Sequence, residues 1–389
     1  MRSFACAKCG QLLFFENSHC LRCGALLGFI PEQLSLQGLV AEDSWRRCAR
    51  SLLAACNWLV SEPDEELCVS CRLTAAAPEL RNDGDLQAFA KAEAAKRRLI
   101  YQLLDLQLPY VSRAEDPARG LGFVFGFAPI MTGHLDGLIS LDLSECDNAH
   151  RERLRAAFGE PYRTLLGHFR HEIGHYYWNL LIAGTPRLAR FREQFGDERE
   201  SYTDALERNY QKPLTRNWSE QYVSAYAASH PWEDWAETFA HYLHIRDTLQ
   251  TAATFGLHVA PSAPAVAPLD GKLATRAREE LADGDFATVI AEWLPLTYAF
   301  NAACRSMGKE DLYPFVLATP VIDKLAFVHE LVRETARADI EVAIHERAES
   351  SVCEAFATEE RAEVELATSW TREESSENSA KPVNDNAAA

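Results

Sequence analysis

The run His171-Glu172-Ile173-Gly174-His175 sets two imidazoles four residues apart with a carboxylate beside the first. On a helix, positions i and i+4 share a face, so both rings can reach one metal ion. Glu172 sits about 100° round the helix from His171, beside such an ion rather than on it, where it can take a proton from a water. Zinc in that setting lowers the pKa of its water to about 7 and polarises a carbonyl. The chemistry is that of a metallohydrolase, with Glu172 as general base. The pattern also occurs by chance on surface helices. Here its flanks are apolar (Leu165, Leu166, Phe169, Ile173, Tyr176, Tyr177, Trp178). The helix is therefore expected to be buried, where two histidines and a glutamate need a partner.

A catalytic zinc takes three protein ligands and keeps one position open. A later stretch, His230 to His244, carries Asp234, Glu237, His241 and His244 at helical spacing on one face. Glu237 is chosen as third ligand, ahead of Asp234 and then His241. The set is then His, His and Glu, that of the gluzincins. His168, one turn before His171, is read as a supporting or structural residue. His230 is the candidate donor to a developing oxyanion, with Tyr222, Tyr226 and Tyr242 as alternatives. For each of these donors, ordinary packing is an equally good reading.

Of 11 cysteines, eight lie in the first 71 residues. Cys6, Cys9, Cys20 and Cys23 form two Cys-x-x-Cys pairs, a strong signal for a closed, structural zinc site. Cys48, Cys56, Cys68 and Cys71 are less regular, and a second structural zinc competes there with thiols packed around Trp45 and Trp58. The cofactor expected is Zn2+, one catalytic and one or two structural.

The elements that must position these groups follow. A helix is predicted over Asp85 to Leu106, with Asp85 as N-cap. Gly120–Phe127 and Gly137–Leu143 read as strands, with a turn at 132–134. A helix runs from Glu160 to about Ile182, stopped by Gly184 and Pro186. Residues 190–230 read as helical and irregular. Pro231 opens a helix through His244. A proline-rich loop covers 260–268, and helices resume from 284 to about 347.

The chain has 389 residues, 47% hydrophobic and 25% charged, with a net charge of -18. This composition is globular. The acidity argues against nucleic acid as a partner. From Glu354 to Ala389, nine acids face three bases, a net -6, on a tail expected to be disordered. No apolar run of 18 residues occurs, so no membrane span is expected. The cysteine pair at 6 and 9 precedes any apolar leader, so the expected location is cytoplasmic.

The run from Thr132-Gly133-His134 through Leu166-Gly167-His168-Phe169-Arg170-His171-Glu172-Ile173-Gly174-His175-Tyr176-Tyr177-Trp178 resembles the bacterial zinc-binding metallopeptidases that carry an N-terminal zinc ribbon. So do Phe195-Gly196-Asp197-Glu198-Arg199, Ser229-His230-Pro231-Trp232-Glu233-Asp234-Trp235-Ala236-Glu237 and Arg305-Ser306-Met307-Gly308. The resemblance covers Cys6 to about Val332. It implies a zincin peptidase domain in which Glu237 matches the glutamate of the following helix.

The expected fold is α+β. A zinc ribbon spans 1–30 and a second cysteine-rich zinc-binding segment 31–80. A mostly helical zincin-like domain with a small sheet spans 81–348, and an acidic tail 349–389. The function expected is hydrolysis of peptide bonds in a peptide or protein, the edge of the small sheet holding the substrate. Two other readings stay open: a non-proteolytic protein that docks partners through its ribbon, and a dinuclear site drawing on His168, His171, His175, Glu237, His241 and His244.

Overall fold

The computed structural model describes residues 2–39, 45–62, 64–128, 130, 132–158, 160–211, 217–257, 259 and 284–336. The proline-rich loop, the last residues of the predicted C-terminal helix and the acidic tail lie outside the described residues.

The N-terminal part is built of short antiparallel ribbons: β1 (Phe4–Ala5) with β2 (Leu12–Leu13), β3 (Leu27–Ile30) with β4 (Ser35–Gly38), and β5 (Arg46–Arg47) with β6 (Leu59–Val60). Each Cys-x-x-Cys pair of the first quartet ends in a glycine, Gly10 and Gly24, both at φ 70°. Each amide donates back to the first cysteine carbonyl at 2.8 Å. That left-handed turn folds the chain so that both sulfurs point the same way, and glycine adopts it without a Cβ penalty. The ribbon is not a separate body. Phe15 and Phe29 pack on Tyr101 of the long helix α2 (Asp83–Asp105), and Arg97 donates to the carbonyls of Ala54 and Ala55.

Helix α2 begins two residues before the predicted start. Asn82, not Asp85, is its cap, accepting the Asp85 amide at 2.9 Å, while the Asp85 carboxylate reaches back to the Arg81 amide. Before it, α1 (Val69–Arg72) runs straight from the second cysteine quartet into β7 (Thr74–Ala76). That strand joins β8 (Gly122–Gly126), β9 (Gly133–Leu135) and β10 (Leu138–Asp142) in a sheet of order β7-β8-β10-β9. β8 is parallel to both neighbours and β9 antiparallel to β10. The two predicted strands are present. β9 stands where the sequence suggested only a turn, since a three-residue strand is too short to show alternation.

Helix α3 (Asn148–Phe158) leads to α4 (Leu165–Leu181), which carries the His-Glu-x-x-His run. It starts at Leu165 rather than Glu160 because Thr164 caps it, its hydroxyl accepting the Gly167 amide at 2.9 Å. α5 (Arg187–Phe195) and α6 (Tyr202–Gln211) follow. α7 (Pro231–Thr254) continues ten residues past the predicted end and closes at Gly256, φ 64°. α8 (Phe286–Ser306) and α9 (Thr319–Thr335) complete the described chain.

Helices α4 and α7 cross at Gly174. A Cβ there would lie 2.9 Å from Ala236 Cα and 3.2 Å from its carbonyl oxygen. The buried Trp235 indole donates to the Gly174 carbonyl at 2.8 Å. The sheet closes the other side of α4, with Phe123 and Phe125 edge-on to Phe169. The fold is α+β: a zinc ribbon, then a mostly helical domain with a small sheet.

Candidate metal centre

The close crossing of α4 and α7 brings the histidines of one helix against the acids of the other. His171 Nε2 and His175 Nε2 are 3.2 Å apart. Glu233 Oε2 lies 3.0 Å from the first and 3.6 Å from the second. Three ligand atoms of a tetrahedral zinc, bonded at about 2.0–2.1 Å, would be separated by about 3.3 Å, so the donor set fits zinc in both type and spacing. Glu172 also lies here: a ligand atom from each of His171, Glu172 and His175 falls within 4.8 Å of the others.

The acid that meets both Nε2 atoms is Glu233, whereas Glu237, the third ligand expected from the sequence, stands elsewhere. Glu237 Oε1 is 2.7 Å from His171 Nδ1, on the far side of the ring from the Nε2 cluster. Glu233 sits one turn earlier, where α7 meets α4. Its second oxygen accepts the Tyr202 hydroxyl at 2.7 Å, in a buried bond. Burial opposes charge on His171, but Glu233 and Glu237 together hold its pKa well above the usual histidine value. Burial pushes His175 down to about 4. Burial likewise works against the Glu233 carboxylate, yet His175 and His171 hold it well below its normal range. Glu237 is lowered too, against burial, by His171. Three carboxylates around two imidazoles leave excess negative charge in a desolvated site, which a divalent cation would balance.

His230 does not face the centre as a donor. It caps α7: Nδ1 accepts the Trp232 amide at 3.1 Å, and Nε2 meets the Glu200 carbonyl at 3.1 Å. With both nitrogens engaged, it has no N–H left for an oxyanion. Asp234 is drawn away by Lys324 Nζ at 2.6 Å. His241 Nδ1 pairs with the Tyr313 hydroxyl at 2.6 Å and His244 Nδ1 with Arg170 at 2.7 Å. His168 lies 3.0 Å from Glu145. These partners disperse the set that suggested a dinuclear centre.

Both cysteine quartets come together. Within each, the four sulfurs lie within 4.8 Å of one another. Cys6–Cys23, Cys9–Cys20 and Cys56–Cys68 are 3.7, 3.6 and 3.7 Å apart. Those spacings are far beyond a disulfide and match the roughly 3.8 Å between thiolates of a tetrahedral zinc.

Residues 85–331 match the family described as "Putative zinc-binding metallo-peptidase". The chain belongs to this metallopeptidase family. Residues 3–82 match a zinc-ribbon domain. That match spans both quartets, across the boundary drawn at residue 30. Two proteins of Mycobacterium tuberculosis (strains CDC 1551 and H37Rv) and one of Mycobacterium bovis, each described as uncharacterized, are 49% identical over 341 residues. The alignment covers 86% of this chain and 96% of each relative. No solved structure matches. Zinc binding follows from the family and from the gathered cysteines. Among the described residues, no helix is long and apolar enough to cross a membrane.

Glu233 and Tyr202 escaped the sequence reading. A signal for the first was present: Glu233 and Glu237 are themselves an i, i+4 pair. Two acids one turn apart, opposite two histidines one turn apart, allow one acid for the ion and one for the ring behind it. Tyr202 carried no local signal.

Proposed function

We propose that the chain is a zinc-dependent peptidase of gluzincin type, with His171, His175 and Glu233 as ligands of the catalytic ion and Glu172 as general base. The convergence of His171 Nε2, His175 Nε2 and Glu233 Oε2 within 3.0–3.6 Å carries this reading. A zinc ion bound there supplies Lewis-acid polarisation of the scissile carbonyl and acidifies the attacking water. The residues of the chain do the rest. Glu237 fixes the tautomer and plane of His171 from behind. Tyr202 holds the Glu233 carboxylate in register. Glu172 takes the proton of the attacking water and delivers it to the leaving amine.

Tyr226 replaces His230 as the oxyanion donor in this reading. It is half-buried, with its ring 5.8 Å from that of His171. Tyr242 is engaged with His329, and Tyr222 lies under Lys324. The substrate is a peptide or protein whose extended backbone adds to β9, the sheet edge whose His134 stacks on His175. Zinc–thiolate quartets suit a reducing cytoplasm. The exposed Leu12, Phe14, Leu21 and Leu26 favour protein docking through the ribbon as a second activity.

The test is zinc per chain by elemental analysis, in the wild type and in a His171→Ala, His175→Ala variant. Three ions falling to two supports one catalytic and two structural sites. No loss on removing both histidines would end the peptidase reading.

A further inference from the structure

His168 stands three residues before His171 and four before Glu172 on α4. It shares their side of the helix, with its Cβ about 5–6 Å from theirs. Between His168 and Trp178, His168 and His171 keep 18% and 14% of their side chains open, while every other residue is buried. Solvent therefore reaches this stretch of α4 along one edge, and that edge holds both the metal centre and His168.

The ring of His168 is oriented. Its Nδ1 is buried, 3.0 Å from Glu145 Oε2. Burial opposes charge on that carboxyl, but His168, Thr132 and Arg163 hold its pKa at about 2, so it is ionised. An ionised carboxylate only accepts, so Nδ1 carries the ring proton and Nε2 of the neutral ring is an acceptor. Nε2 has no partner among the described residues, and it lies on the open side of the ring. The sheet edge runs alongside. Thr132, just before β9, donates to Glu145 Oε1 at 2.6 Å, and His134 of β9 stacks on His175. A polypeptide added to β9 thus passes both the centre and His168. Its backbone amides pair with the strand, which leaves a side chain to meet Nε2. That side chain must donate, which excludes a carboxylate. A cation is disfavoured by the Arg163 guanidinium, 3.2 Å from Glu145 and 2.9 Å from Glu160. A short hydroxyl fits both conditions.

We propose that His168, oriented by Glu145, selects a serine or threonine within two residues of the bond cut, an assignment that rests on the peptidase reading. An extended chain advances about 3.3 Å per residue, so one to two residues cover the helical turn between His171 and His168.

The test uses the full-length, zinc-loaded protein in two measurements. In the first, a peptide library is digested and the cut sites are mapped by mass spectrometry. Serine and threonine should be favoured about tenfold over alanine and valine at one position beside the cut. His168→Asn keeps a donor for Glu145 but has no group at the place of Nε2, and should bring that ratio towards one. His168→Gln puts a carboxamide at that place and should keep part of the preference. The second measurement needs no cleavage. In Glu172→Gln labelled with 15N-histidine, NMR should show His168 protonated at Nδ1. An acetylated Ala-Ala-Ser-Ala-Ala amide should shift its Nε2 signal, and the all-alanine counterpart should not. Cleavage without a hydroxyl preference, or with one that His168→Asn leaves unchanged, overturns the proposal. So does an Nε2 signal indifferent to the serine peptide, or a preference for lysine or arginine at that position. A serine peptide that shifts Nε2 while the wild type cuts nothing leaves the site standing and counts against the peptidase reading alone.

Discussion

Glu237 meets His171 at Nδ1, 2.7 Å away, on the side of the ring opposite the nitrogen that faces His175. One imidazole is thereby held between two acids of one helix, Glu237 behind and Glu233 in front. The two acids separate by experiment. Glu233→Gln is expected to lose the catalytic zinc. Glu237→Gln is expected to keep it, with affinity lowered about 10–100-fold. Zinc titration against a competing chelator reads both, and equal losses would remove the distinction.

Glu172 lies at the cluster without belonging to the His171–His175–Glu233 triangle. Glu172→Gln should leave the zinc count unchanged and lower peptide cleavage about 10²–10⁴-fold. Retained cleavage by a zinc-replete variant would show that another group takes the proton.

Gly174 marks the tightest point of the α4–α7 crossing. Gly174→Ala drives a methyl into the Ala236 backbone at 2.9 Å, which cannot swing aside as a long side chain would. A loss of about 1–3 kcal/mol is expected, read by chemical denaturation, with weakened zinc binding because the crossing positions both halves of the centre. Unchanged stability would mean that the helices can separate at no cost.

Glu145 gives a pH dependence away from the metal. Burial alone would raise its pKa. His168, Thr132 and Arg163 outweigh burial and lower it to about 2. A depressed carboxylate stabilises the fold above its unfolded pKa, near 4.5, and that contribution is lost as pH falls towards 2. Glu145→Gln should therefore cost most near neutrality, on the order of 3 kcal/mol. The gap to wild type should close between about pH 4.5 and pH 2. A gap that widens on acidification would reverse the assignment.

The second quartet leads through Cys68 and Cys71 directly into β7, an edge of the sheet behind α4. Cys68→Ser should remove one zinc and destabilise the helical domain together with the ribbon, since a structural zinc is folding free energy. Hydrogen exchange in β7 and β8 would register the loss. Protection unchanged in those strands would separate the two parts energetically.

The sequence determined what local spacing can encode. The i, i+4 histidines, the glutamate beside the first and the Cys-x-x-Cys pairs each read out within a few residues, because helix and turn geometry fix their directions. The two longer strands and the helix that carries the histidines were legible for the same reason. Tertiary structure decided the rest. Which face of α7 meets α4 depends on the depth of the crossing at Gly174 and Ala236. That depth sets Glu233, not Glu237, against the Nε2 atoms. His230 was assigned by its partners, Trp232 and Glu200, the latter 30 residues away in the chain. Cys48 and Cys56, with no knuckle spacing, became one site with Cys68 and Cys71 only when the β5–β6 ribbon brought them there. A side chain's direction is local, but its partner is set by the packing of whole elements, and that is fixed only in the folded chain.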